Sequence, residues 1–137
     1  LVIRMKARFP ELTICINGSI TSVVLAKHFL EAGLDGVMLG RAAYHDPASV
    51  LIGADALWGE DFAPDPVAVV DAMRPYIAGH LAQGGRLHQI TRHMLGLFLG
   101  KPGARGWRRI LSEQASRDGA GLDVIDRALS ELQARAA

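Results

Sequence analysis

Two short stretches place groups suited to gripping an anion directly after apolar runs. Asn17-Gly18-Ser19-Ile20 follows Leu12-Thr13-Ile14-Cys15-Ile16, and Gly40-Arg41 follows Gly36-Val37-Met38-Leu39. A glycine at such a point lets the backbone approach an anion closely, and free N–H groups at the start of a following helix favour a phosphate. Either stretch alone reads as an ordinary turn. Together, at two successive strand ends, they suggest one phosphate held between them, by Asn17, Gly18 and Ser19 on one side and Gly40 and Arg41 on the other.

A different chemistry is written further along. At about 100° per residue, Arg105, Arg108 and Arg109 share one helix face, while Trp107, Ile110 and Leu111 share the opposite one. Trp107 is therefore expected in a core rather than stacked on a base. Residues 1–71 carry 5 Lys/Arg against 9 Asp/Glu, residues 72–112 carry 7 against none, and residues 113–137 carry 3 against 5. A carboxylate-free stretch that also holds His80, His88 and His93 is a candidate polyanion surface, with Arg92 extending the arginine face. Three guanidinium groups on one face suit contacts to an RNA backbone.

Other chemistries find no support. The chain shows no acid–base pair, no Ser-His-Asp order and no metal-ligand cluster, so no residue is assigned a catalytic role. His88 and His93 are five apart, which suits a shared metal poorly, and with one cysteine a zinc site is rejected. Cys15, between apolar neighbours in a strand, is expected to be inert core.

The elements that must position these groups follow from periodicity. Leu12–Ile16 and Gly36–Gly40 are short apolar runs that read as buried strands. Between them Thr21 or Ser22 caps a helix with Val24, Leu25, His28 and Phe29 at its apolar positions, ended by Gly33. Another helix begins near Arg41-Ala42-Ala43. Continuous apolar strands in β-α-β order suit a parallel sheet covered on both faces, and a phosphate site at such strand ends is the habit of the last quarter of a (β/α)8 barrel. Two strands cannot make that sheet alone. The rest must come from elsewhere, and Leu1–Lys6 reads as the middle of a helix, so the natural N-terminus is expected to lie upstream.

Beyond Pro47 the strand signals stop. Trp58 to Pro66 is polar and proline-containing and reads as a linker. Asp65-Pro66 then opens a helix bearing Val67, Val70, Met73, Ile77 and Leu81, which Pro75 must kink or split. A second helix carries Leu87, Ile90, Met94, Leu97 and Phe98 and stops at Gly100. A third runs from Ala104 to Ser116, and a fourth, capped by Asp123, presents Val124, Ile125, Ala128, Leu129 and Leu132. This predicts three or four antiparallel helices with short connections. With 50% hydrophobic and 21% charged residues, the chain can bury a core. No apolar run approaches the roughly 18–20 residues that span a bilayer. Leu1 to Pro10 mixes charged and apolar residues and is no signal peptide.

These residues resemble a family. Ile16–Ile20, Gly36–Tyr44 and Asp46-Pro47 resemble the end of the barrel in tRNA-dihydrouridine synthases. Ile90-Thr91-Arg92-His93-Met94-Leu95-Gly96-Leu97-Phe98, followed by Gly103-Ala104-Arg105-Gly106-Trp107-Arg108-Arg109, resembles their subfamily A. The single cysteine, Cys15, fits a reducing cytoplasm, and the resemblance implies an enzyme using FMN and NADPH to reduce uridines of the tRNA D-loop to dihydrouridine. It implies that Asn17, Gly18, Ser19, Gly40 and Arg41 hold FMN, chiefly at its phosphate, with Ser19 standing where the family carries a second glycine. It further implies that the helical tail binds tRNA through Arg92, Arg105, Arg108 and Arg109. The family's catalytic cysteine lies on an earlier barrel loop that nothing here matches, so the chain alone is expected to be inactive.

The expected architecture is α/β: residues 1–60 as the C-terminal part of an FMN-binding TIM barrel and residues 61–137 as an all-α helical-bundle, tRNA-binding domain. A noncatalytic RNA-binding module, or another FMN- or phosphate-binding barrel oxidoreductase, remains open as an alternative.

Overall fold

A β-α-β unit forms the heart of the first half of the chain. The computed structural model describes residues 1–60 and 63–136, with side chains as far as residue 134. These residues divide into two units, Leu1–Ala63 and Pro64–Ala137. In the first, α1 (Val2–Arg8) leads to β1 (Cys15–Asn17), α2 (Val23–Glu31), β2 (Gly36–Met38), α3 (Gly40–His45), α4 (Pro47–Leu51) and a 3-10 turn (Ala54–Trp58). The strands pair in parallel, with Cys15 opposite Gly36, Ile16 opposite Val37 and Asn17 opposite Met38.

Both strands are shorter than the apolar runs that predicted them. Each has one neighbour, so the ladder covers only residues where the two chains face each other. Leu12 to Ile14 instead enter a clamp. Lys6 Nζ donates to the carbonyls of Pro10 (3.0 Å) and Leu12 (2.8 Å) and to the Asp35 carboxylate, while the Ile14 N–H donates to Asp35 Oδ2 at 2.7 Å. The Ile14 N–H, and after it Lys6, hold the Asp35 carboxyl below its usual range. This ties the approach to β1 onto the approach to β2.

Cap chemistry is as the sequence predicts, while burial in this unit is not. Ser22 Oγ accepts from the Leu25 N–H at 3.1 Å, and Gly33 leaves α2 at φ +90°. The buried apolar residues here are Ile20, Ala26, Leu34 and Val50, whereas Val24 is 80% exposed. His28 and Cys15 are exposed too, so the expectation of Cys15 as core is corrected. A two-stranded sheet has too little surface to cover both of its faces and the outer side of α2.

The second unit is helical. It comprises α5 (Pro66–Ala82), α6 (His88–Thr91), α7 (Ala104–Gln114) and α8 (Leu122–Ala136). Asp65 caps α5 through the Val67 N–H, and Pro75 sits inside α5 without splitting it. The predicted linker reaches across Asp61 and Phe62, which lie outside the described residues. Asp123 lies in the first turn of α8, which already begins at Leu122, and does not cap it; its carboxylate accepts from Arg127 at 2.8 Å.

The predicted helix from Leu87 to Gly100 is also corrected. Only His88–Thr91 is α-helical, and turns bonded three residues apart follow, such as Met94 N–H to Thr91 O and Leu97 N–H to Met94 O. The Met94 carbonyl also accepts from the Trp107 indole N–H at 3.1 Å. The apolar positions nonetheless face inward: Leu87, Ile90, Met94, Leu97 and Phe98 are all buried, as are Val124, Ile125, Ala128, Leu129 and Leu132 of α8. Trp107 is fully buried, edge-on to Phe98 with ring centroids 4.8 Å apart.

Candidate functional site

All five residues singled out in the first unit line one open cleft of about 970 Å³: Asn17, Gly18 and Ser19 after β1, and Gly40 and Arg41 after β2. The parallel register places Asn17 opposite Met38, so the two loops leave adjacent strand ends on the same side. Gly18 and Ser19 both hold positive φ, at +110° and +55°, and Ser19 is the one non-glycine among the described residues to do so. Positive φ at two successive residues turns the chain sharply after β1, and a glycine there lets the backbone approach an anion closely. Gly40 differs, since its φ is ordinary and a Cβ there would meet nothing nearer than Met38 Cε at 3.8 Å. Neither backbone nor packing within the described residues demands a glycine at that position. Close approach of a ligand would.

Arg41 is exposed and has no acceptor among the described residues. Thr21, His45 and Asp46 line the same cleft; the sequence offers Thr21 only as a helix cap and Asp46 only within Asp46-Pro47, and it does not single out His45. Thr21 follows the β1 loop directly, while His45 ends α3 and Asp46 caps α4. Asp46 brings a negative charge, but its Oδ1 is engaged in capping α4 through the Ser49 N–H at 3.2 Å. These residues suit a phosphate-bearing cofactor, with backbone donors on one wall and a free guanidinium on the other.

In the second unit α7 separates its faces as the 100° spacing requires. Trp107, Ile110 and Leu111 are buried, while Arg105, Arg108 and Arg109 are exposed. The three arginines are not equivalent. Arg109 lies 3.9 Å from Glu113 and 3.5 Å from Glu131, whereas Arg105 and Arg108 have no acceptor among the described residues and line a cleft of about 450 Å³ with Lys101. Arg92 is apart from that cleft, and its Nε donates to His93 Nε2 at 3.0 Å. Lys101 was missed because it sits in a Lys-Pro-Gly turn, outside any helical face. Among the described residues no three His, Cys, Asp or Glu side chains come together as a metal site, and no helix is long and apolar enough to cross a membrane.

Comparison with known proteins covers both units. The family described as Dihydrouridine synthase (Dus) matches residues 2–134. The chain is 49% identical over 133 residues to the tRNA-dihydrouridine(20/20a) synthase of Shewanella oneidensis, covering 96% of this chain and 39% of that protein. It is 51% identical over 129 residues to the proteins of the same name in Salmonella typhimurium and Escherichia coli K12, covering 93% of this chain and 39% and 37% of theirs. The chain thus spans about two fifths of the length of these relatives.

Proposed function

This chain belongs to the dihydrouridine synthase family, and from that premise we propose that the whole protein is a cytoplasmic, FMN- and NADPH-dependent enzyme that reduces uridine in the tRNA D-loop to dihydrouridine. The observation that carries this is identity near one half across both units, to relatives named for uridines 20 and 20a. The first unit is then the closing corner of a (β/α)8 barrel, and the second is a helical-bundle, tRNA-binding domain. Completing such a barrel calls for strands beyond the two present in these residues.

Asn17, Gly18 and Ser19 hold the FMN phosphate through backbone N–H groups, Gly40 leaves room for it, and Arg41 neutralises its charge. Bound there, FMN supplies the hydride for the uridine ring. Arg92, Arg105, Arg108 and Arg109 hold the RNA backbone, contacts that position the RNA on the second unit without reading sequence. None of these residues donates a proton, and no catalytic role is assigned to Cys15.

The test is dihydrouridine formation. Full-length protein incubated with FMN, NADPH and unmodified tRNA is expected to yield dihydrouridine at positions 20 and 20a, read by mass spectrometry of nuclease digests. Full-length, folded protein that forms none would remove the proposal.

A further inference from the structure

The carboxylate-free stretch of residues 72–112 contains seven cations: Arg74, Arg86, Arg92, Lys101, Arg105, Arg108 and Arg109. Folding brings carboxylates from outside the stretch back onto three of them. Arg74 pairs with Asp71 at 2.7 Å and Asp126 at 2.8 Å, and Arg86 pairs with Asp118 while also donating to the Ser116 carbonyl. Arg109 is shared between Glu113 and Glu131. Arg92 donates to His93. Three cations remain with no acceptor among the described residues, and all three line the same cleft: Lys101, Arg105 and Arg108.

That convergence has a structural cause. Gly103 adopts φ +79°, and a Cβ on it would lie 2.6 Å from the Glu131 carbonyl oxygen and the Leu132 Cα. The turn from Lys101 to Gly103 is therefore pressed against the backbone of α8 and cannot drift away from α7. Lys101 enters the cleft from this turn, and Arg105 and Arg108 enter from the exposed side of α7, one turn apart. No side chain caps the start of α7 and no residue of its first turn is a carboxylate. The Glu131 carboxylate does reach that turn from α8, where a Cβ on Gly106 would lie 2.6 Å from its Oε2, but its partner is Arg109 at 3.5 Å.

We propose that Lys101, Arg105 and Arg108 form a single grip for one short run of RNA backbone phosphates, to which Arg109, shared between Glu113 and Glu131, and Arg92, bonded to His93, add less, and that Arg86 serves the fold. The proposal rests on the tRNA assignment above and narrows it, because it adds Lys101, which no helical spacing reveals. Two guanidinium forks can each meet a phosphate bidentately, and the lysine adds a compact charge between turns of backbone. An acidic protein surface is the competing occupant, and it would compete with tRNA poorly or not at all.

The experiment uses the full-length protein and unmodified tRNA, with binding measured across a range of salt. Each of Lys101→Ala, Arg105→Ala and Arg108→Ala is expected to flatten the plot of log K against log salt by about one unit, and the triple variant by about three. Arg127→Ala, which removes an exposed cation paired with Asp123 on α8, is expected to leave the slope unchanged. All three cleft side chains are exposed and unpaired, so melting temperatures should stay with the wild type and a lost contact is not confused with lost fold. Arg105→Lys should keep the slope but weaken binding severalfold, since the charge stays and the fork is lost. Equal slopes for wild type and triple variant, or an equal change with Arg127→Ala, would overturn the grip. If that happens while the wild type still forms dihydrouridine, the grip alone fails. If the wild type forms none, the function proposed above fails independently of the slopes.

Discussion

The two units would hold a phosphate in opposite ways under the function proposed above. In the first, the proposed donors are backbone N–H groups at strand ends, and one arginine would supply charge. In the second, side chains would supply everything, and the backbone would serve to lock them in place. Burial follows the same division. Of the buried apolar residues, 4 lie in the first unit and 17 in the second, while 9 of the 11 exposed large hydrophobics lie in the first. A site made of backbone needs a sheet to fix the backbone, and a parallel sheet needs cover on both faces. A site made of side chains needs only a helix with one face buried. The second unit meets that need from its own residues.

The comparison breaks most sharply at Trp107. It is fully buried, lies against Phe98 and donates to the Met94 carbonyl. Trp107→Ala is expected to cost the second unit about 3–5 kcal/mol, measured by denaturant unfolding. A loss under about 1 kcal/mol would mean that this unit is not organised around the indole.

Gly103 and Gly18 test whether the two phosphate sites are rigid for the same reason. Both have positive φ, yet a Cβ at Gly103 meets the α8 backbone and one at Gly18 meets nothing within 4 Å. Gly103→Ala adds that collision to the left-handed penalty of roughly 1–2 kcal/mol, while Gly18→Ala bears the penalty alone. Thermal unfolding should therefore rank Gly103→Ala as clearly worse. Flavin retention should rank them in reverse, because only Gly18 touches the proposed cofactor wall. Arg41→Ala should likewise weaken FMN at least about tenfold, as expected for a charged hydrogen bond, and leave the salt dependence of tRNA binding unchanged. If Arg41→Ala altered the RNA slope as Arg105→Ala does, the division of labour would collapse.

How far the sequence showed all this also differs between the units. Loop order after two apolar runs was enough to bring Asn17, Gly18, Ser19, Gly40 and Arg41 into one cleft, because parallel strands joined by a helix have their corresponding ends side by side. What stayed hidden was burial: an apolar run predicts a covered strand, and Cys15 is covered only if further strands stand beside it. In the second unit the 3.6-residue period found almost every core position, including those between Leu87 and Phe98 where no continuous helix exists. Inward direction survives there because successive three-residue turns keep nearly the same period. Charge was read less well. Glu113, four residues beyond Arg109, is visible in the sequence as one partner, but Glu131 is 22 residues away along the chain, and only packing of α7 on α8 makes it a second.

Acid separates the units next. The folded pKa of Asp35 is lowered from its usual 3.8 by the Ile14 N–H and Lys6. Above that value the carboxylate is ionised in both folded and unfolded chains, and its contribution is fully present. As pH falls through 3.8 the unfolded chain takes up the proton first, so stability drains until the folded value is passed. The first unit should lose its melting temperature along this limb, and Asp35→Asn should flatten the limb while lowering stability at neutral pH. An unchanged acid limb in Asp35→Asn would show that the clamp beside β1 does not set it.

The smallest expected effect is at Ser19, and it isolates the backbone from its ligand. A side chain at φ +55° carries a left-handed cost of roughly 1–2 kcal/mol, and glycine at that position gives back about 0.4–1 kcal/mol through its greater freedom in the unfolded chain. Ser19→Gly should therefore gain at most about 1 kcal/mol in unfolding experiments. Its effect on FMN decides what the serine contributes. If the loop acts only through its backbone N–H groups, Ser19→Gly retains or tightens FMN, because the same loop conformation is reached with less strain. If the Ser19 hydroxyl donates to the phosphate, the variant becomes more stable and yet binds FMN more weakly. That opposite movement of stability and affinity would place a side-chain contact in a site whose other wall alone had been given one.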